Sequence, residues 1–155
     1  MIVGIDPGAS GAIAFFDPKA GTLDIHDMPV MEIERSGKTK REISPKLLAN
    51  ILHDDHGHNI VWIEKVGAMP GQGVSSMFQF GRGVGMIEGV IAAEGLSLNY
   101  VTPQAWQKAV GVRGGKDGSR LRAVELFPKY ANLFARKKDD GRAEAALIAW
   151  YGATR

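Results

Sequence analysis

The chain has 155 residues, 45% of them apolar and 23% charged, with a formal net charge of +2 and no cysteine. That composition is globular and long enough for a real core, and it excludes a disulfide scaffold or a thiolate metal site. No apolar stretch approaches the ~20 residues of a membrane span, and no basic region precedes an apolar core at the N-terminus. The expectation is one domain over residues 1–155, in the cytoplasm, with no membrane partner.

Met1–Gly4 and Gly11–Phe16 read as two strands joined by a tight turn at Asp6-Pro7-Gly8. Thr22–Val30 reads as a third strand, and Glu34–Glu42, "ERSGKTKRE", as a charged loop. Ser44 before Pro45 is a helix start, a capping hydroxyl with proline at the first helical position, and the helix is predicted to reach His53. Asn59–Glu64 is a short apolar strand ending in a carboxylate.

A long helix is predicted over Val74–Ala93, where Met77, Phe80, Val84, Ile87 and Ile91 recur at helical spacing. Gly81, Gly85 and Gly89 form a second, flat face, so the helix is apolar on more than one side. Ser97–Val101 is the fifth strand. Thr102-Pro103 starts another helix, through Ala109. Gly111–Gly118 is a glycine-rich basic loop, Ser119–Phe127 a helix stopped by Pro128, and Gly141–Tyr151 the last helix. The order β-β-β-α-β-α-β-α-α-α describes an α/β protein, a mixed sheet with helices outside.

Charge is distributed unevenly. Residues 102–142 carry +6 and the remainder −4, which suggests a surface for polyanions. Arg113, Lys116, Arg120 and Arg122 lie in or beside the glycine-rich loop. Lys137 and Lys138 precede the last helix, and Lys38, Lys40 and Arg41 lie in the charged loop. Lys116 and Arg120 are the expected contacts to phosphate groups of such a polyanion.

Four carboxylates need a reason for their positions. Asp6 ends the first strand and Glu64 the fourth; if those strands are parallel neighbours, both acids meet at the edge where open α/β sheets place ligands. Asp140 and Glu144, four apart, share one face of a helix, and Glu144 stands among alanines. Each has a plain alternative, a turn initiator, an ion pair, a helix cap or a solvated side chain. Together they favour a site for a hard cation, Mg²⁺ or Mn²⁺, held by oxygen alone.

With those residues in place, the chain resembles the RuvC-type Holliday junction resolvases of the ribonuclease H-like superfamily. The resemblance rests on "GIDPG" in the first strand, a Glu closing the fourth, "YVTPQAWQKAVGVRGGKDGSR", and an acidic motif on the last helix. The stretch "EKVGAMPGQGVSSMFQFGRGVGMIEGVI" is similar to phage and prophage members. The resemblance implies a five-stranded mixed sheet of order 3-2-1-4-5. It implies a homodimer that nicks four-way DNA junctions symmetrically, using two metal ions per active site. Carried over, the catalytic metal ligands are Asp6, Glu64, Asp140 and Glu144, with Lys116 assisting. The family commonly has two aspartates three apart on the last helix. Here position 141 is glycine; the nearest upstream acids are Asp140 and Asp139, and helical geometry favours Asp140. Alternatives are a broader branched-DNA nuclease, an inactive junction-binding protein, a nucleotide binder of the actin or sugar-kinase type, and a ribonuclease acting on RNA–DNA hybrids.

Overall fold

A computed structural model describes residues 1–35, 37–53, 60–68 and 70–155. Strands β1 (Ile2–Asp6), β2 (Ala12–Asp17) and β3 (Thr22–Asp27) form an antiparallel meander. β4 (Val30–Arg35) and β5 (Lys38–Ile43) form a separate hairpin. Then follow α1 (Pro45–His53), β6 (Ile60–Glu64), α2 (Val74–Ala93), β7 (Ser97–Val101), α3 (Pro103–Val110), α4 (Gly118–Leu126) and α5 (Asp140–Ala153). Asn59, expected to open the strand that is β6, lies outside the described residues. Short 3₁₀ turns occupy Gly115–Asp117, Pro128–Phe134 and Lys137–Asp139. The main sheet has the order β3-β2-β1-β6-β7, with β1, β6 and β7 parallel. Leaving out the hairpin, this is the 3-2-1-4-5 order expected. Among the described residues no helix is long and apolar enough to cross a membrane.

Two sequence expectations are corrected. The third strand stops at Asp27 rather than Val30, and the charged "loop" Glu34–Glu42 is most of a hairpin. The charges hid an alternation of period two. Glu32 lies opposite Arg41 and Glu34 opposite Thr39 in the register, and the β-branched Thr39 suits the pairing. Gly37 turns the chain at φ +70°, a conformation only glycine adopts without strain.

The cap signals hold. Ser44 Oγ accepts from the Leu47 N–H at 3.4 Å, and Thr102 Oγ1 from the Ala105 N–H at 3.3 Å. Both helices begin with proline at the first turn.

Each face of the sheet has its own core. Val3, Ile5, Ile13, Phe15, Val61 and Ile63 pack on α1 and α2 through Leu48, Leu52, Ile87 and Ile91. On the other face Ala12, Ala14 and Phe16 meet α5, with Trp106, Phe127 and Phe134 behind it. Strand periodicity sends Val3 and Ile5 to the first core and Gly4 to the second. Alanines at 143, 145, 146 and 149 let α5 approach closely: a Cβ on Gly4 would lie 2.2 Å from the Ala145 carbonyl oxygen and 2.4 Å from the Ala149 nitrogen. That proximity carries the acidic start of α5 to the ends of β1 and β6.

Candidate active site

β1 and β6 run parallel with Ile5 opposite Ile63, so the next pair in register is Asp6 and Glu64. Both carboxylates stand at the C-terminal end of adjacent central strands. Glu144, one turn into α5, joins them from above the sheet. Its charge raises the Asp6 pKa, and Glu64 raises that of Glu144.

Burial, then the Glu144 and Glu64 charges, push the Asp6 carboxyl up from 3.8 to about 7, against an opposing hydrogen bond from the Gly8 backbone. Burial also raises Glu64 and Glu144, opposed by one donor each. The indole Nε1–H of Trp106 donates to Glu64 Oε2 at 2.8 Å, and the Ser119 hydroxyl donates to Glu144 Oε1 at 3.2 Å. The sequence reading missed Trp106 and Ser119. They lie 42 and 25 residues from their acids, and only the fold brings them together. Trp106 is fully buried. Trp106→Phe removes the donor and leaves a half-buried carboxylate oxygen without it; the expected loss is about 1 kcal/mol of folding stability, read from the urea midpoint.

The acids on α5 divide. Asp140 is half exposed, and its Oδ1 lies 2.9 Å from Arg120 Nε, an ion pair outside hydrogen-bond geometry. Its charge adds to the rise at Glu144. Asp139, by contrast, is buried and committed elsewhere: it accepts from the Arg136 backbone N–H at 2.8 Å and from Arg136 Nη2 at 2.8 Å. The Arg136 guanidinium holds its pKa below the ordinary carboxylate value. Among the described residues no three Asp, Glu or His side chains come together tightly enough to hold a metal ion as they stand. The donor set itself fits a hard cation: three half-buried or more deeply held carboxylates, all oxygen, sharing one end of the sheet.

Gly141 explains the departure on α5. A Cβ there would lie 2.6 Å from the Ser10 carbonyl oxygen and 2.8 Å from Gly11 Cα, and 3.1 Å from Asp6 Oδ2. The turn between β1 and β2 fills the space a side chain needs. Gly141→Asp is expected to unfold the protein or cost at least about 3 kcal/mol, seen as a fall in the thermal midpoint.

The basic residues also divide. Arg113, Lys137, Lys138, Lys38, Lys40 and Arg41 are exposed. Lys116 belongs by backbone to a 3₁₀ turn, and its side chain lies outside the described residues. Arg120, expected at a phosphate, is occupied internally. It pairs with Asp117 and Asp140 and reaches the carbonyl oxygens of Phe134 and Ala135 at 3.5 and 3.4 Å. Arg122 donates to the Val110 carbonyl at 2.6 Å and to Glu125 at 2.7 Å. Both arginines sit on α4 facing groups that need a cation, which a linear reading of charge does not reveal.

No protein-family model matches the chain. The solved structure titled "T. thermophilus RuvC in complex with Holliday junction substrate" superposes with a TM-score of 0.60 at 16% identity, covering 98% of this chain and 92% of that one. A second, "Thermus thermophilus RuvC structure", gives 0.55 at 15% identity, covering 99% and 95%. The chain has the RuvC fold. The expected ribonuclease H-like architecture, a five-stranded mixed sheet flanked by helices, is therefore present over nearly the whole RuvC-like chain. In sequence, 94 residues are 31% identical to the "Holliday junction resolvase MOC1, chloroplastic" of Chlamydomonas reinhardtii. That match takes in 57% of this chain, which spans about a tenth (10%) of that relative's length.

Proposed function

We propose that this chain is a metal-dependent endonuclease that resolves four-way DNA junctions as a homodimer. One observation carries the reading: three carboxylates on separate elements, Asp6, Glu64 and Glu144, converge at the C-terminal ends of the central parallel strands, with pKa values raised by burial, at Asp6 also by the charges of Glu144 and Glu64 and at Glu144 also by that of Glu64. Acids gathered in this way, with no cationic side chain paired to these three among the described residues, are stabilised by a divalent ion. The similarity to MOC1, a protein named as a Holliday junction resolvase, supports the choice of substrate.

Asp6, Glu64 and Glu144 would hold Mg²⁺ or Mn²⁺, with Asp140 joining once it is released from Arg120. The bound metal would lower the pKa of an attacking water and offset charge on the phosphodiester and the leaving oxygen. The chain's own residues prepare this site. Trp106 and Ser119 hold Glu64 and Glu144 by one oxygen each, leaving the other without a hydrogen bond among the described residues. Gly141 keeps α5 close to Asp6. Exposed Arg113, Lys137, Lys138, Lys38, Lys40 and Arg41 supply a cationic surface for the arms, and Lys116 belongs to the same loop as Arg113. Six or more phosphate contacts predict roughly a thousandfold loss of affinity between about 50 and 200 mM salt.

The dimer reading rests on α2. Val74 is 88% and Phe78 67% exposed, and Gly81, Gly85 and Gly89 face open space. An apolar helix face of this kind is suited to a second copy. Light scattering that gives a dimer supports it, and a strict monomer removes it.

The deciding experiment incubates the protein with labelled junction, flap, duplex and RNA–DNA hybrid, with and without Mg²⁺. Paired symmetric nicks confined to the junction are the expected result. Cutting of flaps as well makes it a broader branched-DNA nuclease. Junction binding without metal-dependent nicking makes it a binding protein, and preference for the hybrid makes it a ribonuclease.

A further inference from the structure

Two basic segments that are about a hundred residues apart in sequence meet at one pocket. A pocket of about 240 Å³ lies on the β1–β2 turn, at Ser10 and Gly11, and is walled by Arg41 from β5 and by Arg136 and Lys138 from the turn before α5. Two acids also line it, and each already has a cation. Asp139 is held by Arg136, and Asp27 accepts two hydrogen bonds from Arg142, at 2.6 and 2.7 Å. Arg41 and Lys138 have no carboxylate within ion-pair distance among the described residues, and both are exposed. The pocket therefore presents two cations that no ion pair among the described residues engages, with Glu32 opposite Arg41 only in the hairpin register.

Its location relative to the acids is fixed by backbone. Ser10 and Gly11 form its floor, and the same two residues press against Gly141, whose Cβ position is 3.1 Å from Asp6 Oδ2. The pocket and the carboxylates are thus on two sides of one tight turn. An anion in the pocket is separated from the acids by that turn, so it is not the group the acids act on.

We infer that this pocket is a second phosphate site, where Arg41 and Lys138 jointly hold one backbone phosphate of the DNA beside the bond that is cut. The inference rests on the nuclease reading above, and it adds that the β4–β5 hairpin and the turn before α5 act on the same phosphate rather than on different arms. Arginine supplies a planar fork and lysine a point charge, a combination suited to the non-bridging oxygens of a phosphodiester.

The test is a double-mutant cycle on junction binding, in chelator so that no cutting occurs, at several salt concentrations. The variants are Arg41→Gln, Lys138→Gln, the pair together, and Lys19→Gln in the exposed β2–β3 turn as a control for lost charge. Shared contact predicts that each single variant weakens binding, that the double variant weakens it by less than the product of the singles, and that the slope of log affinity against log salt falls by about 1 in the double. Lys19→Gln leaves both quantities at the wild-type value. Independent losses with a slope change of about 2, an effect of only one residue, no effect, or an equal effect of Lys19→Gln overturns the shared site while leaving the nuclease reading in place. Failure of the wild-type protein to bind a junction overturns both.

Discussion

Asp6→Asn abolishes metal-dependent cleavage of a four-way junction and leaves junction binding within about threefold of wild type, a change under ~1 kcal/mol. Asparagine keeps the shape of the side chain and removes the charge on which the proposed metal depends. The expected fall in rate is roughly a thousandfold or more, the factor given by ~4 kcal/mol of lost transition-state stabilisation. The same variant has a second effect, opposite in sign, on the metal-free fold. The Asp6 carboxyl is raised from 3.8 to about 7 in the folded protein. A carboxyl raised in this way favours the fold while it is protonated. Its contribution is complete below the unfolded pKa and is lost as the pH rises through about 7. Above that, the buried anion costs on the order of 4 kcal/mol. The neutral amide of the variant carries no such cost. In chelator the Asp6→Asn protein is therefore more stable than wild type at about pH 8, and the difference disappears near pH ~4. Urea midpoints at the two pH values measure this. A variant that cuts at the wild-type rate in Mg²⁺ removes Asp6 from the site. A variant no more stable than wild type at the higher pH removes the repulsive cluster.

Gly4→Ala is expected to cost at least about 3 kcal/mol and to shift the thermal midpoint by many degrees or prevent folding. The added methyl carbon meets the Ala145 carbonyl oxygen at 2.2 Å, the Ala149 nitrogen at 2.4 Å and Ala149 Cα at 3.0 Å. All three are backbone atoms of a buried helix, so no rotamer change relieves the overlap. Either β1 and α5 separate, opening the core between them, or the strand shifts in register. The first loses close-packed contact along Ala145, Ala146 and Ala149, and the second moves Val3 and Ile5 off their face. Both also pull Glu144 away from Asp6. Gly67→Ala, in the exposed segment after β6, has nothing within 4 Å of the new methyl and serves as the comparison: it is expected to be neutral within about 0.5 kcal/mol. Equal behaviour of the two variants in a denaturation experiment would contradict the close approach of α5 to the sheet.

Much of this architecture was legible in one dimension because its signals are local. Ser44-Pro45 and Thr102-Pro103 announce helix starts by satisfying backbone donors within a few residues. The stripe from Met77 to Ile91 announces α2 by its period, and the limits Val74–Ala93 and Ser97–Val101 match the predicted ones. The β4–β5 hairpin was not legible, because its charges lie on a two-stranded ribbon outside the main sheet. Met31 and Ile33 alternate with Glu32 and Glu34 in β4, but β5 is charged at most positions and carries no apolar stripe of its own.

The candidate site separates the same way. That Asp6 and Glu64 end strands follows from sequence, since each closes a short apolar run. Their neighbouring positions depend on β1 and β6 pairing in parallel across more than fifty residues of chain, which is a property of the sheet. Helical spacing equally placed Asp140 and Glu144 on one face, yet Arg120 pairs with the first and Ser119 with the second, and Asp139 serves Arg136 instead. Arg120 and Arg122 counted as free surface charge in the sequence, yet Arg120 is paired with Asp140 and Arg122 with Glu125.

Hydrogen-bond capping, helical period and strand-ending acids act within a turn or a strand, so residue order alone determined the elements of the main sheet and its helices, and the acidic candidates. Which acid faces which, which cation is already taken, and why position 141 must be glycine were decided only by tertiary packing. Electrostatic repulsion and steric overlap depend on distance in space, and the fold brings together groups that the chain keeps far apart.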